Sequence, residues 1–349
     1  MPLCAIRYII MVEHNSSSIG ITTTTSSSSQ VRLGIYQGQS KIYDIQHNLS
    51  IVHNIIKLSQ DEYQCDIILF PELYLHGYEL HEHYESNVQS TALTQSSDEI
   101  RQIQQWAKQY TSAVCISYIE LDSTTNNIYN STLLIDYTGT IVTNYRKTHL
   151  WYKQERYQFS AGSQLSPVYT LQLNNNRSVR TSICICYDIE FPEVVRTIAL
   201  QKCELLLVPT ALTINDNFIT PMILLRARAY ENHIYIAYCN YIAQSDLSHL
   251  NNPHTQISPN NFIGCSGVIE PTGAEIVRAA CSPSHQDILP NIIMPFDKTA
   301  QDKYSHTIHS IDNNELSQLL VCNLNPRYWA KQFEQVDYLN DRRPELYQL

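Results

Sequence analysis

From Val31 onward the chain alternates between two hydrophobic periods. Val31–Tyr36 is an apolar run that predicts a strand. Ile45, Leu49, Val52, Ile55 and Ile56 recur at helical spacing, and Cys65–Phe70 predicts a second strand closed by Pro71. A helix over Asp98–Tyr110 then leads into a strand over Ala113–Tyr118, followed by strands Tyr129–Ile135 and Thr140–Tyr145 around a turn at Asp136–Gly139. Beyond these the pattern predicts a strand over Val179–Cys186, a helix over Glu193–Gln201, a strand over Glu204–Val208, a helix over Ile219–Asn232 and strands over Ile234–Cys239, Ile263–Glu270, Glu275–Ala279 and Leu319–Leu324. Helical crossovers mixed with hairpins place the chain in the α/β class, with mixed sheets covered by helices. No internal repeat is visible.

Three stretches break the pattern. Residues Asn15–Gln30 are almost entirely Ser, Thr, Asn and Gly, a composition that cannot bury enough apolar surface to offset its ordering entropy, so residues 1–30 are expected to form a disordered leader. One large domain would then run over 31–325. Within it Ala280–Asn314, with Pro283, Pro290, Pro295 and scattered His, is expected to be a surface insertion. The aromatic and charged tail over 326–349 is expected to pack on the body or on a partner subunit.

Composition removes several functional classes. Charged residues are 16% of the 349, against about 25% in ordinary soluble proteins, and the formal charge is −10 without any Lys/Arg-rich run. Binding to a nucleic-acid backbone is therefore disfavoured. No apolar run approaches the ~20 residues that span a bilayer, and Met1–Val12 makes a poor signal peptide because Arg7 interrupts it and Glu13 follows. Ten cysteines without a CxxC pair, most in strand-like runs, are expected to be buried thiols of a reducing, cytoplasmic compartment. The sequons at Asn15, Asn48, Asn130 and Asn176 would then be incidental. With nine glycines there is neither GxGxxG nor GxxxxGK, and Gly264-Cys265-Ser266-Gly267 lacks the spacing of a nucleophile elbow. His76, His81 and His83 with Glu79, Glu82 and Glu85 match no metal motif and are expected to lie in a solvated loop. No metal and no cofactor is expected.

Three segments place a reactive side chain where a strand ends, the usual location of sites in α/β proteins. Phe70-Pro71-Glu72-Leu73 delivers Glu72, with Gly77-Tyr78 following. Taken alone, such a carboxylate is more often a helix cap. Tyr145-Arg146-Lys147-Thr148-His149-Leu150 delivers Lys147, with Glu155 eight residues on. In Ser182-Ile183-Cys184-Ile185-Cys186-Tyr187-Asp188-Ile189-Glu190-Phe191-Pro192-Glu193, alternation puts Cys184 and Cys186 on one face, with Cys184 in the core and Cys186 exposed at the strand end. A cysteine nucleophile needs a base, and amide hydrolysis also needs donors for an oxyanion. Glu72 can supply the first and Lys147 the second.

The order Glu72, Lys147, Cys186 in the contexts FPELYLHGY, YRKTHLW and CYDIEFPE resembles the carbon-nitrogen hydrolase (nitrilase) superfamily, over roughly Val31 to Leu346. LRARAYEN at Leu225 and FIGCSG at Phe262 fit its later blocks. GIYQGQ at Gly34, VPTALT at Val208, and Tyr338-Leu339 with Leu346-Tyr347 bring the likeness nearest to 5-aminopentanamidases and R-stereoselective amidases. The resemblance implies an α-β-β-α sandwich that pairs with a second copy into a homodimer or higher homo-oligomer. It implies a Cys186-Glu72-Lys147 triad with Glu155 as second carboxylate, the Tyr187 N–H as oxyanion donor, Tyr78 at the substrate side and a small-molecule amide as substrate. A nitrilase or an N-carbamoyl amine hydrolase would share the triad, and a non-catalytic scaffold would be expected to lack one of its members. A papain-like protease is disfavoured because no His pairs with Cys186 in a local signature. Glu190 stands where carbamoyl-amino-acid hydrolases of the family tend to carry arginine. It therefore points to a cationic amine on the substrate, unless it serves only as a helix-start carboxylate.

Overall fold

Strands buried on both faces need apolar side chains at every position, and Ile67–Leu69 and Leu205–Pro209 meet that demand. The computed structural model describes residues 30–78, 85–213, 218–242, 262–281, 306–311, 317–325 and 337–347. The expected leader lies outside the described residues, except Gln30.

The elements run β1 (Val31–Gln37), α1 (Ile45–Asp61), β2 (Ile67–Leu69), α2 (Glu85–Thr91), α3 (Asp98–Gln109), β3 (Ala113–Leu121), β4 (Ile128–Ile135), β5 (Ile141–Arg146) and α4 (Tyr152–Gln158). The second half holds β6 (Tyr169–Leu173), β7 (Arg177–Ile183), α5 (Pro192–Ala199), β8 (Leu205–Pro209), α6 (Leu225–Asn232), β9 (Tyr235–Cys239), β10 (Gly267–Ile269), β11 (Glu275–Arg278), β12 (His306–Ser310) and β13 (Gln318–Leu324). Among the described residues these make two sheets, ordered β12-β13-β1-β2-β3-β4-β5 and β11-β10-β9-β8-β7-β6. The centre of each is parallel, β1-β2-β3 in the first and β7-β8-β9 in the second, and the flanks are antiparallel.

Strand parity sorts the core into layers. Leu33, Ile35, Ile67 and Leu69 of the first sheet meet Ile183, Leu205, Leu207 and Ala237 of the second in one apolar cluster between the sheets. The alternate residues face outward: Ile68, Val114 and Ile116 pack with Ile55, Ile56, Ile100 and Ile103 of α1 and α3. Leu206, Val208 and Ile236 pack with Val194, Val195, Ile198 and Ala229 of α5 and α6. The result is the α-β-β-α sandwich, with each fully buried Leu or Ile contributing about 1.5–3 kcal/mol of burial energy.

Several local expectations change. The predicted strand to Cys186 stops at Ile183, and Cys186–Glu190 forms a tight 3₁₀ turn. The predicted helix from Ile219 opens as a π turn over Thr220–Leu224 before α6 begins. Four elements lack a counterpart in the sequence reading: α2, α4, β6 and β12. The last lies inside the Ala280–Asn314 stretch and forms the edge of the first sheet, paired antiparallel to β13. Part of the tail rests on the end of α6, where the Tyr338 ring meets Tyr230 and His233, each at 5.5 Å.

The cysteines are not all thiols. Cys265 and Cys281 form a disulfide. Gly264 bridges to Cys281 and the Cys265 N–H donates to Ala280 O, so the two chains run side by side with the cysteine Cα atoms 4.6 Å apart. This proximity arises from tertiary pairing across 16 residues, which spacing in the sequence does not reveal. The other cysteines of the described residues are free and buried. Among the described residues no helix is long and apolar enough to cross a membrane.

Candidate active site

Glu72, Lys147 and Glu155 reach one point between the sheets, each without measurable exposure. Glu72 arrives on the turn after β2. Its N–H bonds Thr210 O at 3.4 Å and its carbonyl accepts from Tyr241 Oη at 2.7 Å, so a residue delivered by the first sheet is fastened to segments following β8 and β9 of the second. Gly77 ends this turn at φ +76°, where a Cβ would approach the Ile42 Cα to 3.1 Å.

Lys147 directly follows β5, with its N–H on Asn130 O at 2.9 Å. Its Nζ lies 2.7 Å from Glu72 Oε1 and 2.7 Å from Glu155 Oε1. Glu155 comes from α4, and its Oε1 also accepts from Tyr78 Oη at 3.1 Å and Asn130 Nδ2 at 3.2 Å, while Oε2 accepts from the Trp151 N–H. Glu72 Oε1 accepts a second bond, from Asn130 Nδ2 at 2.7 Å. Its Oε2 is buried with no hydrogen-bond partner.

Two carboxylates and one ammonium leave a net negative charge out of water, and the proton affinities reflect it. Burial, opposed by Lys147 and reinforced by Glu155, pushes Glu72 up to about 7. Burial works against the Lys147 ammonium, but Glu155 and Glu72 together hold its pKa above the ordinary lysine value. The lysine stays charged.

Cys186 opens the 3₁₀ turn in the left-handed region, at φ +47°, a strain of about 1–3 kcal/mol for a residue with a side chain. It is 9% exposed, more buried than a strand-end thiol was expected to be. Nor does it share a face with Cys184. The backbone stays extended through Ile185 and turns at Cys186 itself, so Cys184 packs on the helix side with Ile198 and Val195 while Cys186 joins Ile183 and Ile185 in the cluster between the sheets. Burial pushes the Cys186 thiol well up, Glu72 adds to this, and Lys147 and the Ala211 backbone counter it. Burial raises the Tyr78 phenol too, with Glu155, Glu72 and Cys186 as its charged neighbours. Tyr78 therefore lies among all three.

One side chain that the sequence reading passed over holds the turn. Asp188 Oδ2 accepts from the Ile185 N–H at 3.0 Å and Tyr145 Oη at 2.8 Å, and Oδ1 from Thr148 Oγ1 at 3.0 Å and the His149 N–H at 3.0 Å. His149 Nδ1 lies 2.9 Å from the same oxygen, and its ring stacks on Phe191. Asp188 thus ties the Cys186 turn to the Lys147 segment. The Tyr187 ring packs edge-on against Phe191. Glu190 is half-buried, and its carboxylate accepts from Thr220 Oγ1 of the π turn at 2.7 Å rather than capping α5. Burial raises the Tyr238 phenol, with Cys186 and then Glu190 adding to the shift.

His76, expected in a solvated loop, is fully buried. Its Nδ1 accepts from the Ile119 N–H and its Nε2 bonds Thr91 O, so the ring is a structural tie between the turn after β2 and its neighbours. Residues 79–84 lie outside the described residues.

The sequence model described as Carbon-nitrogen hydrolase matches residues 32–289. The chain belongs to the carbon-nitrogen hydrolase family. As such it is a hydrolase acting on carbon-nitrogen bonds. It is 30% identical over 317 residues to a Pseudomonas protegens protein named hydrolase in pqqF 5'region, covering 91% of this chain and 90% of that one. It is also 30% identical over 210 residues to an (R)-stereoselective amidase of a Pseudomonas species, covering 58% of this chain and 68% of that one. Among solved structures, the NitN amidase from Nesterenkonia superposes with a TM-score of 0.66 at 26% identity, covering 90% of this chain and 98% of that one. A mutant of the Nesterenkonia sp. AN1 amidase, at 25% identity and the same TM-score of 0.66, carries the product of Michael addition of acrylamide at its active site cysteine.

The Asp188 contacts generate a prediction. Asp188→Ala strands several buried donors at once and should cost about 3 kcal/mol or more of stability, with a larger fall in kcat than rise in KM. Urea melts and steady-state assays check both. A variant within about 1 kcal/mol of wild type would mean that the turn is held by something else.

Proposed function

We propose that the protein is an amidohydrolase that converts a linear carboxamide to carboxylate and ammonia through a thioester on Cys186. The observation that carries this reading is the asymmetry of the two buried carboxylates. Glu155 has both oxygens occupied, whereas Glu72 keeps Oε2 buried and unpaired and holds a proton affinity near neutrality. Such a group can take a proton and return it at neutral pH.

Glu72 removes the Cys186 proton, and the thiolate attacks the amide carbonyl. Lys147 has three N–H groups, two of them committed to Glu72 and Glu155, which leaves one for the developing oxyanion alongside the Tyr187 N–H. Collapse of the tetrahedral intermediate breaks the C–N bond. Ammonia departs with the proton from Glu72, which then deprotonates a water that hydrolyses the thioester and restores the thiol. Glu155 orients Lys147, and its bond from Tyr78 sets that ring at the substrate side. The amidase names among its relatives support the same reaction class, and a homo-oligomer remains part of the reading.

The experiment that tests this reading is ammonia release from a panel of linear amides, carbamoyl compounds and nitriles, with acid and amide products quantified. Cys186→Ala should be inactive and Cys184→Ala active. The reverse would misplace the nucleophile, and consumption of nitriles alone would replace amidase by nitrilase. The acid limb gives a second check. Glu72 must be ionised to act, and its carboxyl titrates at about 7, so kcat/KM should fall as pH drops through that value. A profile flat to pH 5 would remove Glu72 as the base.

Substrate choice extends the proposal through Glu190. Half-buried at the end of the turn that Cys186 opens, it favours an ω-amino amide whose ammonium approaches the carboxylate. Wild type should prefer 5-aminopentanamide to pentanamide in kcat/KM by about tenfold, the scale of one charge-assisted hydrogen bond. Glu190→Gln should erase most of that preference. Equal kcat/KM for the two amides in wild type would end the ω-amino assignment and leave the amidase reading standing.

A further inference from the structure

Asn130 sits in the middle of β4 with no exposure, and both amide hydrogens point into the site, one to Glu72 Oε1 and one to Glu155 Oε1. The orientation of the amide follows from its surroundings, since the flipped form would set a carbonyl against two carboxylate oxygens. Lys147 Nζ bridges the same two oxygens, and Lys147 is itself bonded through its N–H to the Asn130 carbonyl. One strand residue therefore touches every charged member of the cluster.

A bland account would make Asn130 a buried polar residue that has found partners. Its own Oδ1 argues otherwise, being buried without any partner. The residue leaves its acceptor unsatisfied while both donors serve the carboxylates, an arrangement that costs stability rather than adding it.

We propose that Asn130 is a positioning residue of the hydrolytic site: by bridging Glu72 and Glu155 it fixes Oε1 of Glu72 and leaves Oε2 as the one oxygen free to exchange a proton with Cys186. This rests on the reading of Glu72 as the base. A neutral donor is suited to the task. A second cation would neutralise the cluster and lower the base below its working range, and an apolar residue would leave Lys147 alone to bridge the two carboxylates. The bond from Asn130 favours the ionised form of Glu72, in line with that role.

The test reads thiol activation directly, so it does not depend on knowing the substrate. The rate of Cys186 alkylation by iodoacetamide is followed against pH by peptide mass spectrometry in wild type, Asn130→Asp, Asn130→Ala and Glu72→Gln. The alkylation rate of wild type should rise as Glu72 ionises. In Asn130→Ala the rise should move to higher pH by about one unit, the scale of a lost hydrogen bond to a buried carboxylate, in Asn130→Asp, which adds a like charge, by at least as much, and Glu72→Gln should abolish that limb. An unmoved limb in the Asn130 variants, with Glu72→Gln still abolishing it, overturns this inference and spares the base. A limb that survives Glu72→Gln takes down the base assignment and the inference with it. If neither Asn130 variant melts cooperatively, the residue belongs to the fold, and the inference is likewise overturned.

Discussion

The Lys147 ammonium, sealed between the sheets and shared by two carboxylates, is the interaction on which the rest of the site depends. Buried ion pairs rarely add net stability, but removing one partner typically costs about 3–5 kcal/mol because it strands the other charge. The three segments carrying Glu72, Lys147 and Glu155 are thus bound to one another. Glu72 and Lys147 each follow a strand of the first sheet and Glu155 lies within α4, and none can shift without exposing an unpaired charge to an apolar surround. One lysine cannot neutralise two carboxylates. Burial, reinforced by Glu155 and opposed by Lys147, pushes the Glu72 carboxyl up to about 7.

Cys186 comes from the other sheet, on a backbone conformation that a cysteine adopts only under constraint. About 1–3 kcal/mol of strain at Cys186 is offset by the charge-assisted bonds to Asp188, each worth about 1.5–3 kcal/mol. Those same bonds reach Thr148 and His149, next to Lys147. The thiol and its cationic neighbour are consequently set by a single acid rather than by two independent loops.

The sequence made the outline legible because strands buried on both faces show as unbroken apolar runs. Glu72, Lys147 and Cys186 were visible because each follows a strand-like run, unbroken and apolar before Glu72 and mixed before the other two. What stayed hidden has a physical reason in each case. Helix α4, YKQERYQ, has no apolar stripe, since the residue it buries is the charged Glu155. The edge strand β12 exposes Thr307, Ile308 and Ser310 and so lacks the alternation that marks a half-buried strand. Strand β6 did carry a period-2 signal in Leu171 and Leu173, which could have been read. The face assigned to Cys184 and Cys186 failed because alternation was carried past the point where the strand ends. Asn130 left one clue, an amide residue in a run of strand formers, where asparagine is disfavoured unless its side chain has work to do.

Asn130-Ser131-Thr132 is also a glycosylation sequon, and its nitrogen is the one bonded to both carboxylates. In the folded protein no transferase can reach it. In a nascent chain threaded through a eukaryotic secretory pathway the sequon would be open before β4 is buried, and a glycan attached there could not be accommodated between the sheets. The choice of expression host is therefore part of the chemistry: a compartment without N-glycosylation preserves the nitrogen that the buried carboxylates share.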